Sequence, residues 1–145
     1  MSFTGGGTVH WMSPELLNPE QFGITSGRPT KQSDCYALGM LVYEVCTDVI
    51  IPTFTIVQHI SCQVLCGVIP YSSFKASVMV MFSILEGVRP QKPDVAESLG
   101  FTNELWGMVE HCWLEGPDER PEVGEILHCL ERAAQAWDTR PLPVH

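Results

Sequence analysis

The sequence predicts a mainly α domain, and three observations carry that prediction. Four stretches repeat apolar residues at helical spacing. The first 32 residues hold Gly5 to Gly7, Pro14, Pro19, Gly23, Gly27 and Pro29, which is loop chemistry in place of strand alternation. The third is size: 145 residues, 45% hydrophobic and 17% charged, suffice for one packed domain and not for a two-domain enzyme.

The elements follow in chain order. A short helix can start near Ser13, because Pro14 suits a first helical position and Glu15 suits the positive end of a helix dipole. A helix over 33–45 takes Ser33 as N-cap and Asp34 as first-turn acid, with Leu38, Leu41, Val42 and Val45 on one face. Ala37, Met40 and Tyr43 leave it almost no polar side before Glu44, so it is expected to be buried all round and central. A helix over 75–86 places Val78, Met81, Phe82 and Leu85 together and stops at Gly87; Arg89, Pro90 and Pro93 then enforce a loop. A helix over 103–113, capped by Thr102, carries Leu105, Met108, Val109, Cys112 and Trp113 on one face and stops before Gly116 and Pro117. The last, over 123–137, sets Val123, Ile126, Leu127, Leu130, Ala134 and Trp137 against Glu122, Glu125, Glu131 and Arg132. Residues 138–145 follow as a tail with Pro141 and Pro143.

Charge and cysteine usage narrow the partners. Eight Lys and Arg against seventeen Asp and Glu give a net charge of −9, which repels a phosphate backbone and excludes nucleic acid as the main partner. No basic segment followed by an apolar run opens the chain, so the six cysteines are expected to be reduced, intracellular thiols, most of them buried as small apolar residues. The stretch 46–64 departs from its surroundings: no Lys, Arg, Asp or Glu stands between Asp48 and Lys75. By length Val49 to Ile69 could span a bilayer, a competing reading against which Pro52, Gln58, His59, Ser61 and Gln63 argue; a buried or partly ordered insertion is expected. His59, Cys62 and Cys66 lie close together, but no second ligand pair follows as a zinc knuckle needs.

Five motifs in order then point to one family. Gly7-Thr8-Val9-His10-Trp11-Met12-Ser13-Pro14-Glu15 resembles the end of a protein-kinase activation segment, with Ser13 where an Ala-Pro-Glu-like triplet has alanine. Ser33 to Val45 resembles the family's central buried helix, its Asp-x4-Gly signature standing as Asp34 and Gly39. Gly67-Val68-Ile69-Pro70-Tyr71, Cys112-Trp113 and Asp118-Glu119-Arg120-Pro121 resemble the remaining landmarks of the helical lobe, closest to tyrosine-kinase-like members. The resemblance implies a partial kinase domain: the end of an activation segment and loop over 1–32, about four to five helices of the C-terminal lobe, and no N-terminal β lobe. It implies that Glu15 pairs with Arg120 to fasten the segment, and that Pro14, Asp34, Gly39 and Trp113 are structural. Thr8 and Trp11 would line the substrate groove; Thr8 resembles Ser/Thr kinases and Trp11 the tyrosine side, so the acceptor stays open.

The parts that phosphoryl transfer needs are missing from the sequence. No Gly-x-Gly-x-x-Gly cover, strand lysine, catalytic-loop Asp with its Asn, or Asp-Phe-Gly occurs. No catalytic, cofactor-binding or metal-binding residue is therefore expected here, and ATP and magnesium are implied only for a complete domain. This chain alone is expected to be inactive, with the central helix leaving apolar surface uncovered. Residues 46–64 then resemble a translated in-frame intron or a lineage-specific insertion, and Met1 an internal start. The expected partner is a protein substrate or a partner kinase, the latter for a non-catalytic, pseudokinase-like interaction module.

Overall fold

A computed structural model of the chain describes residues 9–25, 27–48, 69–92 and 102–138. Five α-helices run through them: α1 (Pro14–Leu17), α2 (Lys31–Asp48), α3 (Ser77–Leu85), α4 (Asn103–Cys112) and α5 (Val123–Asp138). Single 3-10 turns cover Val9–Trp11, Pro19–Phe22 and Pro117–Glu119, and no strand occurs among the described residues. The mainly α expectation holds.

Local chemistry explains the boundaries. Pro14 opens α1 after Ser13, and Gly23 closes the following turn at φ +66°, a left-handed geometry that favours glycine. The cap of α2 is Thr30 and not Ser33, which corrects the predicted start. The Ser33 N–H donates to Thr30 Oγ1 at 3.1 Å and the Thr30 N–H to Ser33 Oγ at 2.8 Å, a reciprocal capping box with serine in the third helical position. At the end of α3, Gly87 sits at φ +77°; its N–H bonds the Ile84 carbonyl at 3.1 Å and that of Val88 the Ser83 carbonyl at 2.9 Å, closing a Schellman motif. Thr102 caps α4, its hydroxyl accepting from the Leu105 N–H at 3.2 Å as the sequence predicts. The predicted 46–64 insertion overlaps α2, whose backbone continues over 46–48; residues 49–64 lie outside the described ones.

Helix existence was better predicted than helix phase. On α2 the buried residues are Ser33, Cys35, Tyr36, Gly39, Met40 and Glu44, while Leu41 is 43% and Val45 47% exposed, so the helix is not buried all round. With apolar residues on every side, periodicity cannot select a face; the first 3-10 turn and α4 cover one and leave the other. The stripe on α3 is displaced too: Val80, Ser83 and Ile84 point inward, and Val78 and Phe82 outward. On α5, Ile126 and Cys129 are buried, whereas Val123, Leu127 and Ala134 face solvent. Only the α4 face stands as predicted, with Leu105, Val109, Cys112 and Trp113 in the core and Met108 at its margin.

Candidate functional site: a buried arginine anchor

Arg120 leaves the last 3-10 turn in extended conformation, and its side chain reaches the interior with no exposed area. Nη1 donates to Glu15 Oε1 at 2.7 Å and Nη2 to Glu15 Oε2 at 2.8 Å, a bidentate pair between residues 105 positions apart. Nε donates to the Leu114 carbonyl at 2.9 Å, and the two remaining protons go to the carbonyls of Gln32 at 3.0 Å and Glu115 at 3.3 Å. A guanidinium has five N–H donors, and all five are matched. α1, the start of α2 and the loop after α4 therefore converge on one side chain.

Burial by itself would raise the Glu15 carboxyl. Its hydrogen bonds with Arg120 and with its own backbone N–H, the Arg120 charge and the Ser13 hydroxyl outweigh that and hold it below the ordinary carboxylate range. The pair is thus ionised at neutral pH and fully used internally.

A second arginine extends the anchor. Arg89 Nε donates to the Trp113 carbonyl and Nη1 to that of Ile84, both at 3.0 Å, tying the end of α3 to the end of α4. The Tyr36 ring lies 5.2 Å from the Arg120 guanidinium and 5.4 Å from that of Arg89, so one buried ring serves two cations. Burial first, then neighbouring Tyr71, push the Tyr36 phenol well up, which keeps it neutral between them. Tyr71 itself holds a left-handed backbone at φ 60°, fixed by its hydroxyl bond to the Val88 carbonyl at 2.9 Å.

The residues singled out from the sequence are distributed unevenly. Glu15 and Arg120 meet, and Pro14 is buried at the start of the helix that carries Glu15. Gly39 packs against Cys112 and Trp113, where a Cβ would stand 2.7 Å from Cys112 Cβ and 2.8 Å from Trp113 Nε1. Trp11 Nε1 donates to the buried Glu44 at 3.1 Å, and an apolar recess of about 580 Å³ opens beside them, walled by Ala37, Leu38 and Leu41. Asp34 is exposed and outside this set, and Thr8 lies outside the described residues. Sequence reasoning missed Tyr36, Arg89 and the contact of His10 Nδ1 with the Pro70 carbonyl at 2.7 Å; Arg89 beside two prolines was the one signal available.

The arrangement ties a loop to a helical core and leaves no free acid or base within the anchor. Among the described residues no group of three or more His, Cys, Asp or Glu could hold a metal ion, and no helix is long and apolar enough to cross a membrane.

Comparison with known proteins matches residues 3–130 to the family model described as protein tyrosine and serine/threonine kinase. The chain is 30% identical over 129 residues to the dual serine/threonine and tyrosine protein kinase of Apis mellifera, covering 89% of this chain and 11% of that protein. It is 27% identical over 135 residues to tyrosine-protein kinase Btk of Drosophila melanogaster, covering 91% and 13%. With mitogen-activated protein kinase kinase kinase 3 of Arabidopsis thaliana it shares 30% over 122 residues, covering 84% and 17%. The chain therefore spans less than a fifth of the length of each of these relatives.

Proposed function

The chain belongs to the protein tyrosine and serine/threonine kinase family, and from that premise we propose that it is the substrate-side helical lobe of a kinase domain, inactive by itself. In the complete domain, the γ-phosphoryl of ATP passes to a protein Ser, Thr or Tyr hydroxyl. The contribution of these residues is positional: Arg120 fixes Glu15, and with it the segment through Trp11 that leads to the substrate groove at Thr8. The observation that carries this reading is the saturated Arg120, whose five donors tie Glu15 of the segment to the start of α2 and to the loop after α4. Phosphoryl transfer rests on positioning and charge stabilisation.

ATP and magnesium do not fit the residues present. The buried acids are committed, Glu15 to Arg120 and Glu44 to Trp11, and the sequence has no phosphate-cradling glycine loop or strand lysine. Their binding belongs to the rest of the domain. We place the protein inside the cell, in keeping with Cys35, Cys112 and Cys129 being free thiols.

Two measurements test the reading. Incubated with magnesium and γ-labelled ATP, the 145-residue chain should transfer no label to a protein substrate; turnover by the purified chain overturns the inactivity. Sequencing the transcript through the codons for 46–64 and upstream of Met1 should reveal a frame carrying the lysine, catalytic aspartate and Asp-Phe-Gly. A complete product that carries them yet transfers no phosphate would instead make the lobe a protein-interaction module.

A further inference from the structure

The sequence of α3 does not suit its position. Ser77–Leu85 contains no charged side chain, yet the helix lies at the surface. Val80, Ser83 and Ile84 face inward, while Val78 is 58%, Met79 50% and Phe82 57% exposed. A helix that meets water normally turns charged and polar residues towards it. Phe82 follows Val78 by four residues and Met79 by three, so the three side chains share one outward stripe. Half or more of each is left to solvent, as at a surface that another molecule covers.

Two charges frame the stripe. Lys75 stands one residue before the N-cap Ala76, and Glu86 is the C-cap; both are exposed. Neither side chain has a hydrogen bond or ion pair among the described residues. Each sits at the wrong end of its own helix, a cation beside the partly positive N-terminus and an anion beside the partly negative C-terminus. That N-terminus has no side-chain cap, because Ala76 offers no oxygen to the first-turn N–H groups.

We propose that α3 is a self-association surface, on which a second copy of the chain lays its own α3 antiparallel about a two-fold axis. Lys75 then meets Glu86 of the second copy and Glu86 meets its Lys75, one pairing made twice. Lys75 and Glu86 are equidistant from the point between Val80 and Met81, and so are Met79 and Phe82. The register that joins the charges therefore also sets Met79 against the Phe82 ring of the second copy, a favourable sulfur–aromatic contact. Each charge reaches the helix end that suits it: Glu86 the uncapped N-terminus of the other α3, Lys75 its C-terminus. A parallel pairing would instead oppose lysine to lysine and glutamate to glutamate. It is this match of the stripe to itself, in charge and in apolar register, that selects a second copy as the occupant. One short helix per copy makes a small interface, hence a weak, salt-sensitive dimer.

The test is sedimentation equilibrium of the 145-residue chain over a range of concentrations at moderate salt. Monomer and dimer should coexist, and F82K should leave monomer alone. K75E and E86K each replace two opposite-charge contacts with two like-charge ones and should raise the dissociation constant about tenfold. The double variant K75E/E86K exchanges the signs and should dimerise more tightly than either single variant. An equimolar mixture of K75E and E86K should form the heterodimer, a recovery that unfolded variants could not give. The net charge of −9 opposes association in general, so a contact governed by overall charge would strengthen in E86K, the reverse of the loss expected here. A chain that stays monomeric up to its solubility limit overturns the proposal, as does a dimer indifferent to F82K. A mixture of the single variants that associates no better than either alone overturns it too. Association lost in L41Q and kept in F82K would place the interface on the exposed side of α2 and overturn it likewise.

Discussion

The two sides of α2 are finished to different degrees. On one, Tyr36 and Met40 are fully buried, Arg120 and Arg89 stand over the Tyr36 ring, and Glu15 completes the charge balance with residues from this chain. On the other, Leu41 and Val45 are nearly half exposed, and Leu41 walls an apolar recess beside Trp11. On the first side every Arg120 guanidinium proton has an acceptor; the second is a core surface with no cover among the described residues. Stability should therefore be sensitive to single atoms on the anchor side, and solubility to substitutions on the bare side.

Removing one partner of the anchor should have the largest effect. Arg120→Met leaves the Glu15 carboxylate buried and unpaired and is expected to cost about 3–5 kcal/mol in urea unfolding, enough to abolish a cooperative transition in a marginal domain. Gly39→Ala forces a Cβ onto Cys112 and Trp113 Nε1, and the same measurement should show a loss of about 1–3 kcal/mol from overpacking. Thr102→Ala removes the α4 cap for about 1 kcal/mol. On the opposite side, Leu41→Gln should change stability by less than about 0.5 kcal/mol while raising the concentration at which the chain stays monodisperse in light scattering. Equal effects on both sides would erase the distinction.

Acid should separate the sides as well. The Glu15 carboxyl is lowered in the folded state, so its contribution is complete above the unfolded-state value and is lost as pH falls through the folded one. The urea midpoint should be level near neutrality and decline only below the ordinary carboxylate range of about 4.3. Glu15→Gln should remove much of that decline.

How much of this was legible in the sequence depended on what kind of signal a residue gives. Caps and stops are local, and Pro14, Thr102 and Gly87 announced their elements. Phase is relational: α2 and α3 are apolar on several sides, and only the arrival of other elements decided that Met40 and Ile84 face inward while Leu41 and Phe82 do not. Thr30 went unnoticed as a cap because its partner Ser33 resembles a cap itself. The Glu15 and Arg120 pairing came from motif resemblance, since no local pattern links residues 105 positions apart. Tyr36 stood inside the Ser33–Val45 motif with no role marked and Arg89 outside any motif, and their role exists only where Arg89 crosses from α3 to the end of α4 over the Tyr36 ring.

The central claim is that Glu15 and Arg120 act as one unit that fastens the leading loop to the helices. A double-mutant cycle tests it most directly: urea unfolding of the wild type, Glu15→Gln, Arg120→Met and the double variant, all in sodium sulfate to keep the single variants folded. A coupling energy of about 3–5 kcal/mol, as large as the loss in one single variant, with the double variant little worse than either, is predicted. Additive losses, with coupling near zero, would contradict the account.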